Sequence, residues 1–317
     1  MTRILVTRKL PQPGIDKLRE VFNEVAVFSE EREMTKTELT SAMKNCDVLL
    51  CLLTNIVDKE VIDSNPHLKG ICNYAVGYNN IDVEYAKSRG IIVCNTPDVL
   101  TETTADLTWA LLMAAARRIA EGDKYMREGS FPGWEPMLML GRDIYQKTLG
   151  IIGMGRIGKA VASRAVGFGM RIIYNKTSGP DLSLPFDAKF VDLDSLLKEA
   201  DFISIHAPLT PQTKHLIGER EFGIMKNTAV FINTARGAIV DEKALVNALK
   251  HGKIFAAGLD VYENEPAMTE GLAELPNVVL APHIGSASIE TRTNMALLAA
   301  ENAIAIVRKT KPPTEVV

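Results

Sequence analysis

The sequence lacks the features that mark several classes of protein. Its 36 lysines and arginines against 39 aspartates and glutamates leave a net charge of −3, and so balanced a chain has no basic surplus for binding nucleic acid. The longest apolar-dominated run, residues 107–116, is too short to span a bilayer. No signal peptide is visible before the first strand-like residues. We therefore expect a cytoplasmic protein with neither a nucleic-acid nor a membrane partner.

Cysteines and histidines are also few. The four cysteines lie in or beside apolar, strand-like stretches without a Cys-x-x-Cys pair, which predicts buried free thiols in a reducing compartment. The five histidines are scattered and none has a partner at metal-ligand spacing, so no metal site is predicted. The cysteines are Cys46, Cys51, Cys72 and Cys94.

What the sequence does contain is a regular alternation of strand-like and helix-like segments. A length of 317 residues and a hydrophobic content of 46% suggest about two globular domains. The alternation runs through residues 1–100 and begins again at Lys147, and it implies parallel sheets with helices on both faces. Between the two series, residues 101 to about 129 are predicted to form one long helix, followed by a loop over 129–141. A second long helix is predicted from residue 286 to about 308.

A glycine-rich turn is the strongest local signal. The apolar stretch 149–152 leads into Gly153-x-Gly155-x-x-Gly158, and a helix-compatible run over 159–168 follows. Gly153 would allow the tight turn, Gly155 would let the backbone approach a pyrophosphate, and Gly158 would let helix and strand pack closely. The helix N-terminus would offer N–H groups and partial positive charge to phosphates. The alternative is an ordinary turn with incidental glycines, but the strand before it and the helix after it favour dinucleotide binding.

The residues after the next predicted strand bear on the choice of cofactor. An NAD-preferring site places an Asp or Glu there for the ribose 2′-hydroxyl. Here the segment is Asn175-Lys176-Thr177-Ser178, and the nearest carboxylate, Asp181, comes only after Gly179-Pro180. A lysine with two hydroxyls suits a 2′-phosphate, which a carboxylate would repel. The segment therefore favours NADP(H), with NAD(H) possible if these residues form only a solvated turn.

Three polar sites follow strand-like stretches, where this type of fold carries its catalytic groups. Arg236 follows the first stretch, and its guanidinium could bind a carboxylate or serve a structural ion pair. Asp260 and Glu265 follow the second, in a segment with more acids than packing requires. His283 follows the third. A lone histidine there is more often structural, whereas beside a carboxylate it becomes a proton donor.

Together these residues predict a reductase of 2-keto acids. Arg236 would bind the substrate carboxylate and polarise the carbonyl, and the nicotinamide would deliver a hydride to the carbonyl carbon. His283, charged and held by Glu265, would protonate the developing alkoxide.

Four motifs and their order resemble those of the D-isomer-specific 2-hydroxyacid dehydrogenases over essentially the whole chain. They are Gly153-Met-Gly-Arg-Ile-Gly158, Asn233-Thr-Ala-Arg236-Gly, Gly258-Leu-Asp-Val-x-x-x-Glu265-Pro and Pro282-His283-Ile-Gly-Ser. The resemblance implies a catalytic triad of Arg236, Glu265 and His283. It also implies two doubly wound, parallel-sheet α/β domains. A Rossmann cofactor domain, residues 101–286, would be inserted into a flavodoxin-like substrate domain, residues 1–100 and 287–317. The family is usually dimeric, so a homodimer is expected.

The resemblance also implies binding residues. Asp260 would bind the nicotinamide carboxamide, Pro208 would line the adenine site and Thr104 would approach the cofactor's phosphates. Backbone N–H groups near Val76 and Gly77 would bind the substrate carboxylate. The full set of expected cofactor contacts is Gly153, Gly155, Arg156, Ile157, Gly158, Asn175, Lys176, Thr177, Ser178, Pro208, Thr213, Thr104, Ala235, Asp260 and Gly285, and the expected substrate contacts are Leu53, Val76, Gly77, Trp134 and Met137.

Within the family, the resemblance is closest to glyoxylate/hydroxypyruvate reductases, through segments 73–82, 133–141 and 281–288. That implies reduction of glyoxylate and hydroxypyruvate to glycolate and D-glycerate. Trp134 is expected either to close a small substrate pocket, from the partner subunit, or to be an interface residue without substrate contact. One alternative is a reductase of another 2-keto acid such as 2-ketogluconate, which would need a wider pocket. A second is a dinucleotide-sensing, corepressor-like binding module, which the intact triad disfavours.

Overall fold

The computed structural model describes residues 2–317, which form two compact units. One unit consists of the residues up to Leu100 together with Ser286–Val317, and the other of Thr101–Gly285. The sequence places the second boundary at 286/287, one residue later.

The first hundred residues supply a sheet of five parallel strands. In chain order the elements are β1 (Arg3–Val6), α1 (Gln12–Arg19), β2 (Glu24–Val27), α2 (Lys36–Met43), β3 (Val48–Cys51), α3 (Lys59–Asp63), β4 (Gly70–Asn73), α4 (Val83–Ser88) and β5 (Ile92–Cys94). The strand order is β2-β1-β3-β4-β5, with Leu5 beside Leu49 and Leu50 beside Cys72. The central strand β3 is buried along its whole length, as expected when helices cover both faces. This order is that of a flavodoxin-like sheet.

The second unit contains a sheet of seven parallel strands. Its elements are α5 (Thr101–Ala116), α6 (Ile119–Arg127), β6 (Thr148–Ile152), α7 (Arg156–Ala165), β7 (Arg171–Asn175), β8 (Lys189–Phe190), α8 (Leu193–Glu199), β9 (Phe202–Ile205), α9 (Glu219–Ile224), β10 (Val230–Asn233), α10 (Glu242–Lys250), β11 (Ala256–Leu259) and β12 (Val278–Leu280). The strands lie in the order β12-β11-β10-β9-β6-β7-β8. Counted from β6, this is the 3-2-1-4-5-6 order of the Rossmann fold with a seventh strand added. The predicted fold class is confirmed.

The single long helix predicted from residue 101 to about 129 is wrong, because the structure has two helices, α5 and α6. Arg118, between them, adopts a left-handed backbone conformation with a φ of 55°, which interrupts the helix. The Ala116 carbonyl accepts a hydrogen bond of 2.8 Å from the backbone N–H of Arg142. A Cβ on Gly141 would lie only 2.4 Å from that carbonyl oxygen. The last residue of α5, Ala116, is therefore in close contact with Gly141 and Arg142 of the loop after α6.

The C-terminal helix α11 (Ile289–Arg308) completes the first unit. It begins at Ile289 rather than at the predicted residue 286, because the Ser288 hydroxyl caps it by accepting from the Thr291 N–H at 3.1 Å. It packs so closely on α1 that a Cβ on Gly14 would lie 2.6 Å from the Ala296 Cβ.

The four cysteines are free and buried, as predicted. Cys72 and Cys94 are register partners on β4 and β5. No helix within residues 2–317 has both the length and the apolar composition that a membrane crossing requires. In the same range, no group of three or more histidine, cysteine, aspartate or glutamate side chains could hold a metal ion.

Candidate active site

The candidate active site lies at the carboxyl ends of three adjacent strands in the second unit. β10, β11 and β12 are neighbours in the sheet. Arg236 follows β10, Glu265 follows β11 and His283 follows β12. Because the strands are parallel, their carboxyl ends share one edge of the sheet, and this topology brings together three residues that are distant in sequence.

His283 and Glu265 form a direct pair. His283 Nδ1 lies 2.8 Å from Glu265 Oε2, which leaves Nε2 as the ring nitrogen available to a substrate. His283 has a φ of 54°, a conformation uncommon for a residue with a Cβ and enriched at functional sites. Burial acts to raise the pKa of Glu265, but the hydrogen bond and charge of His283, together with the charge of Arg236, hold it below its usual value. Glu265 is therefore ionised at neutral pH.

Tyr262 links the two loops that carry this pair. Its N–H donates to Glu265 Oε1 at 3.0 Å, and its hydroxyl donates to the Ala281 carbonyl, two residues before His283, at 2.9 Å. Burial raises the pKa of Tyr262 to about 12, so the phenol remains a donor at physiological pH. Tyr262 lies inside the 258–265 motif, but no role is predicted for it from the sequence.

Glu242, at the start of α10, anchors the loop after β11. It is buried and accepts hydrogen bonds from the Glu263 N–H at 2.6 Å and from the Thr269 hydroxyl at 2.7 Å. A buried carboxylate paired in this way with a backbone N–H fixes the path of that backbone. Glu242 was not singled out from the sequence, where it resembles any acidic residue in the first turn of a helix.

Gly237 brings the Arg236 segment against the same loop. A Cβ on Gly237 would lie 1.8 Å from the Tyr262 carbonyl carbon, so only a glycine permits this approach. The backbone next to Arg236 is thus in contact with the loop that leads to Glu265.

Arg236 is held by its own turn. The Ala235 N–H donates to Asn233 Oδ1 and Asn233 Nδ2 donates to the Arg236 carbonyl, both at 3.0 Å, while Arg236 Nη1 donates to the Ala235 carbonyl at 2.6 Å. Burial lowers the pKa of the Arg236 guanidinium, yet a guanidinium remains charged at neutral pH. The turn therefore presents a positive charge with planar donors, which suits a carboxylate.

Asp260, Gly285 and Thr104 form a second group at this edge. Asp260 is 1% exposed and accepts hydrogen bonds of 2.7 Å from the N–H groups of both Ile284 and Gly285. Burial raises the pKa of Asp260 in spite of these bonds. A Cβ on Gly285 would lie 3.2 Å from Asp260 Oδ2 and 3.5 Å from Thr104 Cγ2. Three residues expected to contact the cofactor thus lie close together.

The glycine-rich turn has room for a phosphate. Gly153 has a φ of 96°, and a Cβ on it would lie 2.6 Å from the Ala207 nitrogen. A Cβ on Gly158 would lie 2.2 Å from the Gly153 carbonyl oxygen, so α7 packs directly on the turn. Within residues 2–317, no atom beyond its immediate neighbours comes within 4 Å of a Cβ placed on Gly155, and no side chain caps α7 where it begins at Arg156. This open helix start fits a pyrophosphate.

Pro208 and Thr213 lie together in a turn after β9. Thr213 Oγ1 donates to the Pro208 carbonyl at 2.7 Å, and the Thr210 N–H donates to Thr213 Oγ1 at 2.8 Å. Because β9 is the neighbour of β6, this turn borders the glycine-rich turn that follows β6.

The segment after β7 also reaches the glycine-rich turn. The Asn175 carbonyl accepts a hydrogen bond of 2.9 Å from the Gly153 N–H, and Asn175 Nδ2 donates to the Val191 carbonyl at 2.9 Å. Thr177 and Ser178 are exposed.

A carboxylate lies beside Lys176 in space, although segment 175–178 itself contains none. Asp181 Oδ2 is 3.3 Å from Lys176 Nζ and 2.8 Å from Lys159 Nζ. The Asp181 N–H donates to the Tyr174 hydroxyl at 2.7 Å, and Gly179, with a φ of 76°, lets the chain turn back. Because of this turn, Asp181 lies beside the end of β7. Its separation from β7 in the sequence gave no indication of this contact.

The expected substrate residues of the first unit lie on two loops. Leu53 follows β3, Val76 and Gly77 follow β4, and all three are partly exposed. β3 and β4 are neighbours in the sheet, so the two loops leave the same edge side by side.

Buried asparagines tie these loops together. Asn80 Nδ2 donates to the carbonyls of Leu52 at 3.1 Å and Asn55 at 3.0 Å. Asn73 Nδ2 donates to the Gly77 carbonyl at 2.8 Å and to Asn80 Oδ1 at 3.1 Å. The loop that carries Gly77 is therefore fixed from beneath by side-chain amides.

Trp134 and Met137 lie on the loop after α6 and are 84% and 76% exposed. They belong to a run of exposed apolar side chains, and such a concentration indicates an interaction surface. The other exposed members between residues 119 and 145 are Ile119, Met126, Phe131, Leu140 and Tyr145.

The chain is similar to known proteins over nearly its whole length. Residues 109–285 match the model of the D-isomer specific 2-hydroxyacid dehydrogenase, NAD binding domain. A glyoxylate reductase of Korarchaeum cryptofilum is 52% identical over 314 residues, which cover 98% of this chain and 94% of that protein. The crystal structure of a Thermus thermophilus protein has a TM-score of 0.94 at 47% identity and covers 100% of both chains. An NADPH-dependent glyoxylate/hydroxypyruvate reductase of Sinorhizobium meliloti, solved with NADP and malonate, has a TM-score of 0.89 at 34% identity, with 100% of this chain and 97% of that chain covered.

Proposed function

Because this chain belongs to the D-isomer-specific 2-hydroxyacid dehydrogenases and is an oxidoreductase, we propose that it reduces glyoxylate and hydroxypyruvate to glycolate and D-glycerate with a nicotinamide dinucleotide. The observation that carries the proposal is the His283–Glu265 pair, at 2.8 Å, on the strand edge that also carries Arg236. A proton donor and a carboxylate-binding cation are what reduction of a 2-keto acid requires. Relatives named as glyoxylate and glyoxylate/hydroxypyruvate reductases support this substrate class.

The chemistry divides among three side chains. Arg236 binds the substrate carboxylate through two donors and orients the adjacent carbonyl. The bound nicotinamide supplies a hydride to the carbonyl carbon. His283 donates a proton from Nε2 to the carbonyl oxygen, which becomes the hydroxyl, and Glu265 stabilises the charged imidazole before that transfer. The reduced acid leaves with one hydride and one proton added.

The second unit takes the cofactor in this proposal, with NADP(H) favoured and NAD(H) possible. The open helix start at Gly155 binds the pyrophosphate, and Lys176 with Thr177 and Ser178 binds a 2′-phosphate. The proposed cofactor contacts are the residues that the sequence predicts to contact it. Support comes from the space at Gly155, the Asp260–Gly285 contact and the exposure of the two hydroxyl side chains.

The first unit supplies substrate contacts through Leu53, Val76 and Gly77 in this proposal. Trp134 and Met137 contact the substrate in this proposal, Trp134 from a partner subunit, and the chain is a homodimer. The exposed apolar run between residues 119 and 145 supports a homodimer. A monomer would leave that apolar surface exposed to water. Light scattering on the purified protein tests the homodimer, because it measures the molar mass in solution. The four free cysteines support a cytoplasmic location.

The decisive experiment is a matrix of initial rates. NADPH or NADH oxidation is measured with glyoxylate, hydroxypyruvate, pyruvate and 2-ketogluconate, and kcat/KM is compared for each pair. High values for glyoxylate and hydroxypyruvate would support the proposal. Preference for 2-ketogluconate would show that the proposed substrate is wrong, while the proposed roles of the three catalytic residues would stand. Absence of turnover on all four acids, with cofactor binding retained, would favour the corepressor-like binding module.

A further inference from the structure

The charged cluster at the end of β7 is not explained by the reductase chemistry. Asp181 Oδ2 lies between two ammonium groups, 2.8 Å from Lys159 Nζ and 3.3 Å from Lys176 Nζ. The Asp181 side chain is only 13% exposed. Its other oxygen, Oδ1, accepts hydrogen bonds from the N–H and the hydroxyl of Ser183, at 3.0 and 2.7 Å. Both oxygens of the carboxylate are therefore engaged and its position is fixed.

The cluster stands where a dinucleotide places its adenosine ribose. Lys159 is on α7 directly after Gly158, and Lys176 directly follows β7. The last residue of β7, Asn175, is hydrogen-bonded to Gly153 of the glycine-rich turn. In folds of this strand order, the ribose 2′-position lies at the end of the second strand, which is β7 here.

A carboxylate at this point acts differently on the two cofactors. A 2′-phosphate needs the ammonium groups of Lys159 and Lys176, and it must compete for them with Asp181 and approach a like charge. A 2′-hydroxyl has no such conflict, because it is uncharged and needs neither ammonium group. The hydrogen bond from Lys159 and those from Ser183 hold the pKa of Asp181 well below its usual range, so the carboxylate is ionised at neutral pH.

We propose that Asp181 is a specificity-determining residue, which holds Lys159 and Lys176 in ion pairs and thereby weakens recognition of the 2′-phosphate. This inference rests on the proposed function, since it requires a nicotinamide dinucleotide at the glycine-rich turn. Lys159 and Lys176 favour binding of NADPH over NADH. Asp181 reduces this preference, so that NADH remains a usable cofactor. The position of Asp181 beyond Gly179-Pro180 makes it a substitute for the strand-end carboxylate of NAD-binding folds.

The test compares Asp181→Asn with Asp187→Asn. Asp187 is an exposed residue of the same loop, so its variant loses the same charge without touching the cluster. Calorimetry with 2′,5′-ADP and 5′-AMP measures recognition of the 2′-phosphate without turnover. In Asp181→Asn, the affinity for 2′,5′-ADP relative to 5′-AMP should rise about tenfold, the order expected from removing one partly screened like charge. The ratio of kcat/KM for NADPH over NADH should rise with it, and Asp187→Asn should leave both ratios at the wild-type value.

A double variant separates the ion pair from simple repulsion. If Asp181 acts by holding Lys176, the gain from Asp181→Asn should shrink in a Lys176→Met background. Nucleotide binding with an unchanged preference in Asp181→Asn would overturn the assignment and leave the reductase proposal standing. Failure of the wild-type protein to bind either nucleotide would overturn the proposed function, and the role of Asp181 with it.

Discussion

The imidazole Nδ1 of His283 lies 2.8 Å from Glu265 Oε2, and the two residues come from loops that follow adjacent parallel strands. The Tyr262 N–H holds the other carboxylate oxygen. Glu265 is thus fixed from one side by backbone and from the other by the imidazole, which leaves the opposite ring nitrogen of His283 to act on a substrate.

Replacing His283 by Ala should lower kcat for glyoxylate reduction by about 10²–10⁴-fold, the usual contribution of a positioned general acid. Binding of 5′-AMP, measured by calorimetry, should be unchanged, because His283 donates no group to the cofactor's adenosine. His215→Ala is the matched control, since His215 Nε2 lies 2.6 Å from Glu263 Oε1 and forms a second imidazole–carboxylate pair near the same loop. A wild-type kcat in His283→Ala would rule out the proposed proton donor.

Glu265→Gln tests the electrostatics of the pair through the pH dependence of stability. The pKa of Glu265 in the folded protein lies below its ordinary value of 4.5. Its ionised form therefore adds stability that is fully present above the unfolded-state pKa and is lost as the pH falls through the folded-state value. Urea titration should show that the difference in unfolding free energy between the wild type and Glu265→Gln decreases as the pH falls below about 4.5. The exposed Glu219→Gln is the control, and a difference that stays constant with pH would contradict the argument.

Arg236 should determine the KM for the keto acid. Arg236→Ala removes a charged donor from a buried turn, and the KM for glyoxylate should rise by about 10- to 100-fold, as expected for lost hydrogen bonds to a carboxylate. Arg236→Lys keeps the charge but loses the planar donor pair, so it should recover only part of the loss. Steady-state kinetics at saturating cofactor measure both. An unchanged KM in Arg236→Ala would show that another group binds the carboxylate.

Much of this architecture could be predicted from the sequence because its causes are local. The strands are short apolar runs, such as Val48–Cys51, because a parallel sheet buries both faces. Gly153 marks the turn because that position needs a positive φ. Parallel topology then implies that residues after consecutive strands meet at one edge, which is why the sequence alone predicts the pairing of Glu265 with His283.

The features that the sequence did not predict arise from contacts between separate segments. At the end of α5, the Ala116 carbonyl accepts a hydrogen bond from the N–H of Arg142, and neither residue is a helix stop signal in the sequence. Asp181 is remote in sequence from the end of β7, but its N–H donates a hydrogen bond to the Tyr174 hydroxyl, which places it beside the end of that strand. Glu242 accepts a hydrogen bond from the N–H of Glu263, in the loop after β11, although the two residues are distant in sequence. Periodicity and motif spacing contain no information on such contacts.

Gly237→Ala should disturb the active site through the backbone. The new Cβ would lie 1.8 Å from the Tyr262 carbonyl carbon, so the loop that leads to Glu265 must move. We expect a loss of about 1–3 kcal/mol in unfolding free energy, together with a lower kcat. Gly223→Ala is the control. Within residues 2–317, no atom beyond its helix surroundings lies within 4 Å of the new methyl group, and the substitution should be neutral or stabilise by about 0.4–1 kcal/mol. Equal behaviour of the two variants in urea titration would show that the loop adapts without cost.

Asn80→Asp should uncouple the loops of the first unit while preserving the size of the side chain. The amide donates to the carbonyls of Leu52 and Asn55, and a carboxylate would place an acceptor against two acceptors. The loss in unfolding free energy should be about 1–3 kcal/mol at neutral pH. The KM for glyoxylate should rise because the loop that carries Leu53 is no longer held through the Leu52 carbonyl. At low pH the buried carboxyl would take up a proton and regain a donor, so the stability deficit relative to wild type should shrink on acidification. Asn227→Asp, at an exposed position of the second unit, is the control. A deficit that grows on acidification, or a KM that stays at the wild-type value, would show that the asparagines do not position these loops.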